Sequence, residues 1–202
     1  MNNPLKLLIA TSNPGKIIEI SALLSELPFE LVFPSEMGII TTPEETGSTY
    51  KKNAVLKARY YYQSSHLPTL ADDSGLEVDL LGGQPGLHSA RFSPIKNARD
   101  ADRRKLLLEK LTGKPKPWGA HFKCTVAFIN PMREIFTATS QCDGEIISEE
   151  RGKNGFGYDP LFLFPQLGKT MAELDLQEKN MISHRALAIK AILPRLLRLH
   201  TI

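Results

Sequence analysis

The sequence predicts an α/β protein, and three stretches carry that expectation. Leu5 to Ala10 is a nearly continuous apolar run that passes through Thr11-Ser12-Asn13-Pro14-Gly15-Lys16 into a helical pattern. A second apolar lead-in, with Leu67, Leu70 and Ala71, runs into Asp72-Asp73-Ser74-Gly75. Later, two alternating segments flank Asn130-Pro131-Met132-Arg133, as expected of an antiparallel hairpin. A continuous apolar run marks a strand covered on both faces, whereas strict alternation marks a strand with one wetter face.

The 202 residues predict one domain spanning 1–202, long enough to bury a substantial core. Hydrophobic content of 42% and charged content of 23% are those of a soluble globular protein. With a net charge of +3 and no basic run longer than Arg103-Arg104-Lys105, no nucleic-acid partner is expected. The opening Met1-Asn2-Asn3-Pro4-Leu5-Lys6 lacks a signal-peptide layout, and no apolar stretch is long enough to span a bilayer, so no membrane partner is expected. Cys124 and Cys142 fall in strand patterns without metal-ligand spacing, which suits reduced packing residues of a cytoplasmic protein.

Taken in order, the first strand feeds a polar loop and then a helix with Ile17, Ile20, Leu24 and Leu27 on one face. That arrangement aims free backbone N–H groups at an anion, with Thr11, Ser12 and Asn13 as further donors and Lys16 as a charge. The GxxxxGK[ST] spacing of a Walker loop is absent, and an N-capped helix after a strand explains the same residues. Glu30 to Phe33 predicts a short second strand, and 34–48 a loop containing Glu44-Glu45-Thr46-Gly47. The next helix carries Tyr50, Ala54, Ala58 and Tyr61 as its apolar stripe, with Asn53 and Lys57 one turn apart beside it and Thr49 as its cap. Tyr60-Tyr61-Tyr62 read as packing residues.

Asp72 and Asp73 point to opposite faces if they lie in a strand. The expectation is that this strand ends there, with Ser74-Gly75 turning the chain. Two readings fit the pair: a solvated Asp-Asp turn, or carboxylates that hold a hard cation and activate water. Leu81-Gly82-Gly83-Gln84-Pro85-Gly86-Leu87 predicts an ordered loop, from which Arg91 emerges as either a phosphate contact or a surface residue. Ala98 to Leu111 predicts a charged amphipathic helix, ended by Gly113 and Pro115. The 120–128 and 134–142 strands read as scaffold.

In Gly155-Phe156-Gly157-Tyr158-Asp159, two glycines flank an aromatic ring, a face on which a purine can stack, with Asp159 and the backbone placed to read the base edge. A glycine turn with a buried Phe fits equally. Glu173 to Lys179 predicts a short helix. Ser183 then caps a helix whose first turn carries His184 and Arg185, against the dipole preference for acids there, which suggests a compensating anionic ligand. Pro194 is expected to kink or end that helix.

Together, two acidic clusters (Glu44-Glu45 and Asp72-Asp73), Lys16, Lys57 and Lys179, a His-Arg pair and a glycine-aromatic loop suit a magnesium-bound nucleoside triphosphate. A glycosidase-like acid pair leaves the lysines unexplained.

From Thr11-x-Asn13-x-x-Lys16 through Glu45-Thr46-Gly47, Leu70-Ala71-Asp72-Asp73-Ser74-Gly75-Leu76, Gly82-Gly83-Gln84-Pro85-Gly86 and Ser89-Ala90-Arg91 to Gly155-Phe156-Gly157-Tyr158-Asp159-Pro160 and Ser183-His184-Arg185, the chain resembles the inosine/xanthosine triphosphate pyrophosphatases, the RdgB-like house-cleaning enzymes. The likeness runs over nearly its whole length. It implies an elongated mixed β-sheet flanked by helices, two lobes with the active-site cleft between them, and a homodimer. The implied activity is hydrolysis of ITP, dITP and XTP to the monophosphate and pyrophosphate with Mg²⁺ as cofactor. It also implies Asp73 as the catalytic acidic residue and Glu45, Asp72 and Asp73 as the metal shell. Thr11, Ser12, Asn13, Pro14, Gly15 and Lys16 match a substrate loop, Lys57 and Lys179 match phosphate-region lysines, and Asn53, Ser74, Arg91, Phe156, Gly157, Tyr158, Asp159, His184 and Arg185 match substrate contacts. One departure stands out: Lys52 occupies the place, just before Asn53-Ala54, where the family usually has an acid.

Overall fold

The computed structural model describes residues 4–201. Its elements run β1 (Leu5–Ile9), α1 (Pro14–Leu24), β2 (Phe29–Val32), α2 (Tyr50–Ser65), β3 (Thr69–Val78), α3 (Asp100–Leu111), β4 (Trp118–Ile129), β5 (Ile135–Ile146), β6 (Phe162–Phe164), β7 (Lys169–Thr170), α4 (Leu176–Ile182) and α5 (His184–Leu197). The strands form one mixed sheet in the order β2-β1-β3-β4-β5-β6-β7. β1 pairs parallel with β2 and β3, while β6 pairs antiparallel with β5 and β7. No helix among the described residues is long and apolar enough to cross a membrane.

The chain divides into two compact units, the first made of Met1–Asp73, Cys124–Ser140 and Arg185–Ile202, the second of Ser74–Lys123 and Gln141–His184. Within the first unit the apolar run of β1 does what its pattern predicts. Leu7 and Ile9 pack with Leu70, Cys124, Val126 and Phe128 beneath Ile20 and Leu24 of α1 and Ala188, Ile189 and Ile192 of α5. Leu8 and Ala10 point the other way and pack with Ala71, Ala127 and Ile129 beneath Ala54, Ala58 and Tyr61 of α2. The sheet is thus covered on both faces, and α2 sits on the face opposite α1 and α5. In the second unit a separate core joins Leu76 and Val78 of β3, Leu107 and Leu111 of α3, Phe122, Phe162 and Phe164.

Two expectations are corrected. β3 does not end at Asp73 but continues through Ser74 and Gly75 to Val78, because Leu76 and Val78 are fully buried in the second core. Asp72 and Asp73 therefore lie inside a strand. Pro194 does not end α5, which runs on to Leu197. Ile192 and Leu196, on either side of it, are both buried in the same core, and that packing carries the helix across the proline.

Candidate active site

The strand periodicity of two decides what each carboxylate of β3 meets. Asp72 follows Leu70 onto the face of α1 and α5; Asp73 follows Ala71 onto the face of α2.

On the first face, Asp72 Oδ2 accepts from Arg185 Nε at 3.2 Å and pairs with Lys16 Nζ at 2.8 Å. Arg185 also pairs through Nη1 with Glu19. Arg185, Glu19 and Asp72 are 2–3% exposed, so two carboxylates and two cations share one desolvated site. Burial opposes ionisation of Asp72, yet the combined fields of Lys16, Arg185 and Lys57 outweigh it and hold the carboxyl well below its ordinary value. Burial lowers the Lys16 ammonium, with Asp72 opposing and Lys57 and Arg185 adding to the decrease. Arg185 at the start of α5 thus meets two internal carboxylates, Glu19 and Asp72, where an anionic ligand was expected, while His184 stacks on Phe122. Asp72 Oδ1 is buried and, among the described residues, accepts no hydrogen bond.

On the second face, Thr49 caps α2 by accepting from the Lys52 N–H, and the helix aims Asn53 and Lys57 at β3. Asn53 is buried; its Nδ2 donates to Asp73 Oδ2 at 3.1 Å, and its Oδ1 accepts from the Gly47 N–H at 2.7 Å. Gly47 has no room for a side chain, since a Cβ there would lie 2.5 Å from Asn53 Oδ1 and 2.8 Å from Lys52 Cβ. The glycine of Glu45-Thr46-Gly47 is what lets this loop approach α2. Lys57 Nζ lies 2.8 Å from Glu45 Oε1 and 3.3 Å from Asp73 Oδ1, so the loop acid and the strand acid converge on one positive charge. Burial works against the Lys57 charge, but Asp72, Asp73 and Glu45 together raise its pKa. Asp73 is raised by burial, with Lys57 opposing and Glu45 reinforcing, which leaves it a stronger base than an ordinary carboxylate. Lys52, at the position of the expected acid, turns outward and donates to Ser48 Oγ. Thr49 caps the helix without an acid there.

Asn13 caps α1 by accepting from the Lys16 N–H at 3.1 Å, with Pro14 in the first turn. Ser12, Asn13 and Pro14 are exposed, and Thr11 and Gly15 half-buried, so the loop presents its donors to solvent while Lys16 turns inward.

In the second unit the glycine-aromatic loop is held from several directions. Asp159 Oδ2 accepts from the Phe156 N–H at 2.8 Å and from Lys179 Nζ at 2.6 Å. Gly155 has φ +73°, and a Cβ there would fall 2.0 Å from Asp159 Oδ2. Lys179 Nζ also lies 5.3 Å from the Phe156 ring centroid. Tyr158 is buried and donates to the Ser89 carbonyl at 2.9 Å. His184 is buried, stacked on Phe122 at 4.8 Å between centroids. Ser74 is half-buried and Arg91 exposed at the end of a 3-10 turn, Gly86–Arg91.

Residues 7–195 match the model of the Ham1 family. The chain belongs to the Ham1 family. It is 47% identical over 194 residues to the dITP/XTP pyrophosphatase of Haemophilus ducreyi, covering 94% of this chain and 97% of that protein. It is 43% identical to the protein of the same description from Desulforamulus reducens, over 97% and 98% of the two chains. Among solved structures, a HAM1 protein from Coxiella burnetii superposes with a TM-score of 0.85 at 40% identity, covering 96% of this chain and 99% of that one. The resemblance read from the motifs is confirmed.

Within this Ham1-family chain the polar residues around β3 pass a test for a hard divalent cation. Glu45 Oε1 and Asp73 Oδ1 already converge on one positive charge, that of Lys57 Nζ, at 2.8 and 3.3 Å. Among the described residues no three His, Cys, Asp or Glu side chains converge as a ready-made metal cage. Mg²⁺ takes one or two carboxylates and completes its octahedron with substrate phosphates and water, and the Glu45–Asp73 pair supplies carboxylates of that kind. Sequence reasoning missed Glu19, which lies off the predicted apolar face of the first helix, and also Asp100 and Arg104 of α3, which bind the glycine-aromatic loop. The unusual cations at the start of α5 were the one signal available, and they read as facing an anionic ligand rather than a buried acid of the chain itself.

Proposed function

We propose that this chain is a Mg²⁺-dependent nucleoside-triphosphate pyrophosphohydrolase that converts ITP, dITP and XTP to the monophosphate and pyrophosphate, clearing deaminated purines from the nucleotide pool. The observation that carries the reading is the buried cluster on β3, in which Asp73 is raised as a base beside Lys57 while Asp72 is locked by Lys16 and Arg185. It lies in a chain whose relatives are described as dITP/XTP pyrophosphatases over nearly their full length.

Hydrolysis of the α–β anhydride needs a base for water and charge neutralisation for the leaving pyrophosphate. Asp73 takes the proton from water as the oxygen–phosphorus bond forms and the bond to pyrophosphate breaks. Asn53 holds Asp73 Oδ2 from behind, so the carboxylate meets water in one orientation. Glu45 and Asp73 are the groups that would hold Mg²⁺, which when bound neutralises and orients the phosphates, while Asp72, expected in the metal shell, lies on the opposite face of β3 and is tied to Lys16 and Arg185. Lys16, Lys57 and the exposed donors of the 11–16 loop bear on the anionic chain, and Phe156 offers the base a stacking face.

Selection of a 6-oxo purine follows from a site that pairs a polar group, because an analogue that cannot pair leaves buried donors unmatched. We place the enzyme in the cytoplasm, as a homodimer like that implied by the family. The test is a panel of common and deaminated nucleotides with Mg²⁺, the nucleotide product and pyrophosphate being assayed separately. The expected result is monophosphate and pyrophosphate in equal amounts, with ITP, dITP and XTP far ahead of ATP and GTP. Release of orthophosphate and a nucleoside diphosphate, or turnover with pyrimidine substrates alone, overturns it.

A further inference from the structure

We propose that Asp100 and Arg104 in the first turns of α3 form a two-point clamp on the Gly157 peptide that sets the pose of Phe156 and thereby the enzyme's choice of base. Asp100 Oδ2 accepts from the Gly157 N–H at 2.7 Å, and Arg104 Nη1 donates to the Gly157 carbonyl at 2.8 Å. Both polar groups of one loop residue are therefore bound by side chains one helical turn apart, neighbours on the same face of α3.

Each arm of the clamp is itself fixed. Arg104 presents its other edge to Glu150 in a bidentate pair, Nε to Oε1 at 2.8 Å and Nη2 to Oε2 at 2.9 Å, and its side chain is only 13% exposed. A planar fork gripped on one edge can aim the remaining N–H in only one direction. Asp100 pairs with Arg103, whose Nη1 also donates to the Ala98 and Ala90 carbonyls at 2.8 and 3.0 Å. Burial works against the Asp100 charge, but hydrogen bonds from Arg103 and the Gly157 N–H, with the nearby arginines, keep its pKa lowered. The same two helical turns thus hold the 156–159 loop and, through Arg103, the 89–91 turn to which Tyr158 is bonded.

The arrangement has a chemical consequence. With its N–H and C=O both bound to α3, Gly157 has its strong hydrogen-bonding groups already engaged, so its contribution is made through the position of its neighbour. Phe156 has its N–H fixed by Asp159 on one side and its following peptide fixed by the clamp on the other. A ring held so tightly stacks a purine in a single register, and only in that register do the groups that read the 6-oxo edge meet it. Loosening the clamp leaves a stacking surface but blurs the register, which removes the advantage of hypoxanthine over adenine.

This inference rests on the proposed nucleotide pyrophosphatase reading, and its test separates the two. Wild type, Arg104→Ala and Asp100→Ala are compared by kcat/KM for ITP and for ATP. Loss of either hydrogen bond is expected to lower the ITP-to-ATP ratio roughly tenfold, through a higher KM for ITP with kcat largely kept. Because both arms hold one peptide, the double variant should lose much less than the product of the single losses. A merely structural role moves ITP and ATP rates down together and leaves the ratio unchanged, which overturns the clamp. So does a variant indistinguishable from wild type. If Arg104→Ala is too unstable to assay, Arg104→Lys carries the same expectation, since one ammonium cannot span Glu150 and the Gly157 carbonyl together. A wild type without preference for ITP over ATP refutes the functional reading instead, before any variant is made.

Discussion

Replacing Arg185 by methionine is the substitution whose consequence the structure specifies most closely. Arg185 joins Glu19 of α1 to Asp72 of β3, and the side chains of all three are 2–4% exposed. Methionine fills much of the volume but leaves two carboxylates facing each other in a dry site with Lys16 as the remaining partner described for Asp72. Removing one member of such a buried network costs about 3–5 kcal/mol, because the surviving charges are stranded. At about 2–4 °C per kcal/mol for a chain of this size, the melting temperature should fall by about 6–20 °C. Adding Glu19→Gln should recover part of that loss by removing one of the stranded charges.

The pH dependence carries its own sign. Asp72 titrates in the folded protein well below its ordinary value of 3.8. The stability it contributes is therefore fully present above that value and is lost as pH falls toward the folded one. Arg185→Met weakens the depression, so its stability should decline less steeply than wild type between neutral and strongly acidic pH. Urea unfolding at a series of pH values measures both quantities. A loss below about 1 kcal/mol, the range of an exposed pair, with unchanged pH dependence would refute the view of this network as a buried device.

Other expectations are as specific. Gly47→Ala pushes a methyl group against Asn53 Oδ1 and should lower kcat by roughly two- to tenfold while leaving α2 folded, read by steady-state kinetics beside a melting curve. Lys57→Met leaves Glu45 and Asp73 without their shared charge, so kcat/KM for ITP should drop and excess Mg²⁺ should restore part of the thermal stability. His121, hydrogen-bonded to Asp143 and Asp79, has a pKa raised above 6.5 chiefly by Asp143. Its stabilising effect is therefore full below 6.5 and lost as pH rises through the raised value, a decline that His121→Gln should abolish. Chelation of divalent cations should stop ITP turnover, and added Mg²⁺ should restore it.

The fold was legible where local pattern and tertiary environment agree. The continuous apolar run of β1 correctly announced a strand covered on two faces, and Thr49 marked the start of α2. It was misleading where they conflict. Ser74-Gly75 reads as a turn, yet the chain stays extended because Leu76 and Val78 have a core to fill beyond it. Pro194 reads as a kink or a stop, and the stop does not occur, because packing on both sides of it carries α5 onward. Of the acids and lysines that motif spacing singled out, Asp72, Asp73, Glu45, Lys16 and Lys57 gather around β3, whereas Lys179 pairs with Asp159 in the second unit. The division of the first group between two faces follows only once β3 is known to be a strand through Asp73. The partner of Arg185 lies 166 positions away in sequence, beyond any local signal. Asp100 and Arg104 were invisible for a different reason: charges on an amphipathic helix look solvated until the loop they hold is seen.

The most direct test of the account is a paired experiment on Asp73→Asn with ITP and Mg²⁺. Wild type should release IMP and pyrophosphate in equal amounts. The asparagine variant should still bind ITP detectably by calorimetry yet turn it over on the order of 10²–10⁴-fold more slowly, the contribution of a positioned base. An asparagine variant with near-wild-type kcat, or one that no longer binds ITP at all, would contradict the assignment of Asp73 as the group that activates water.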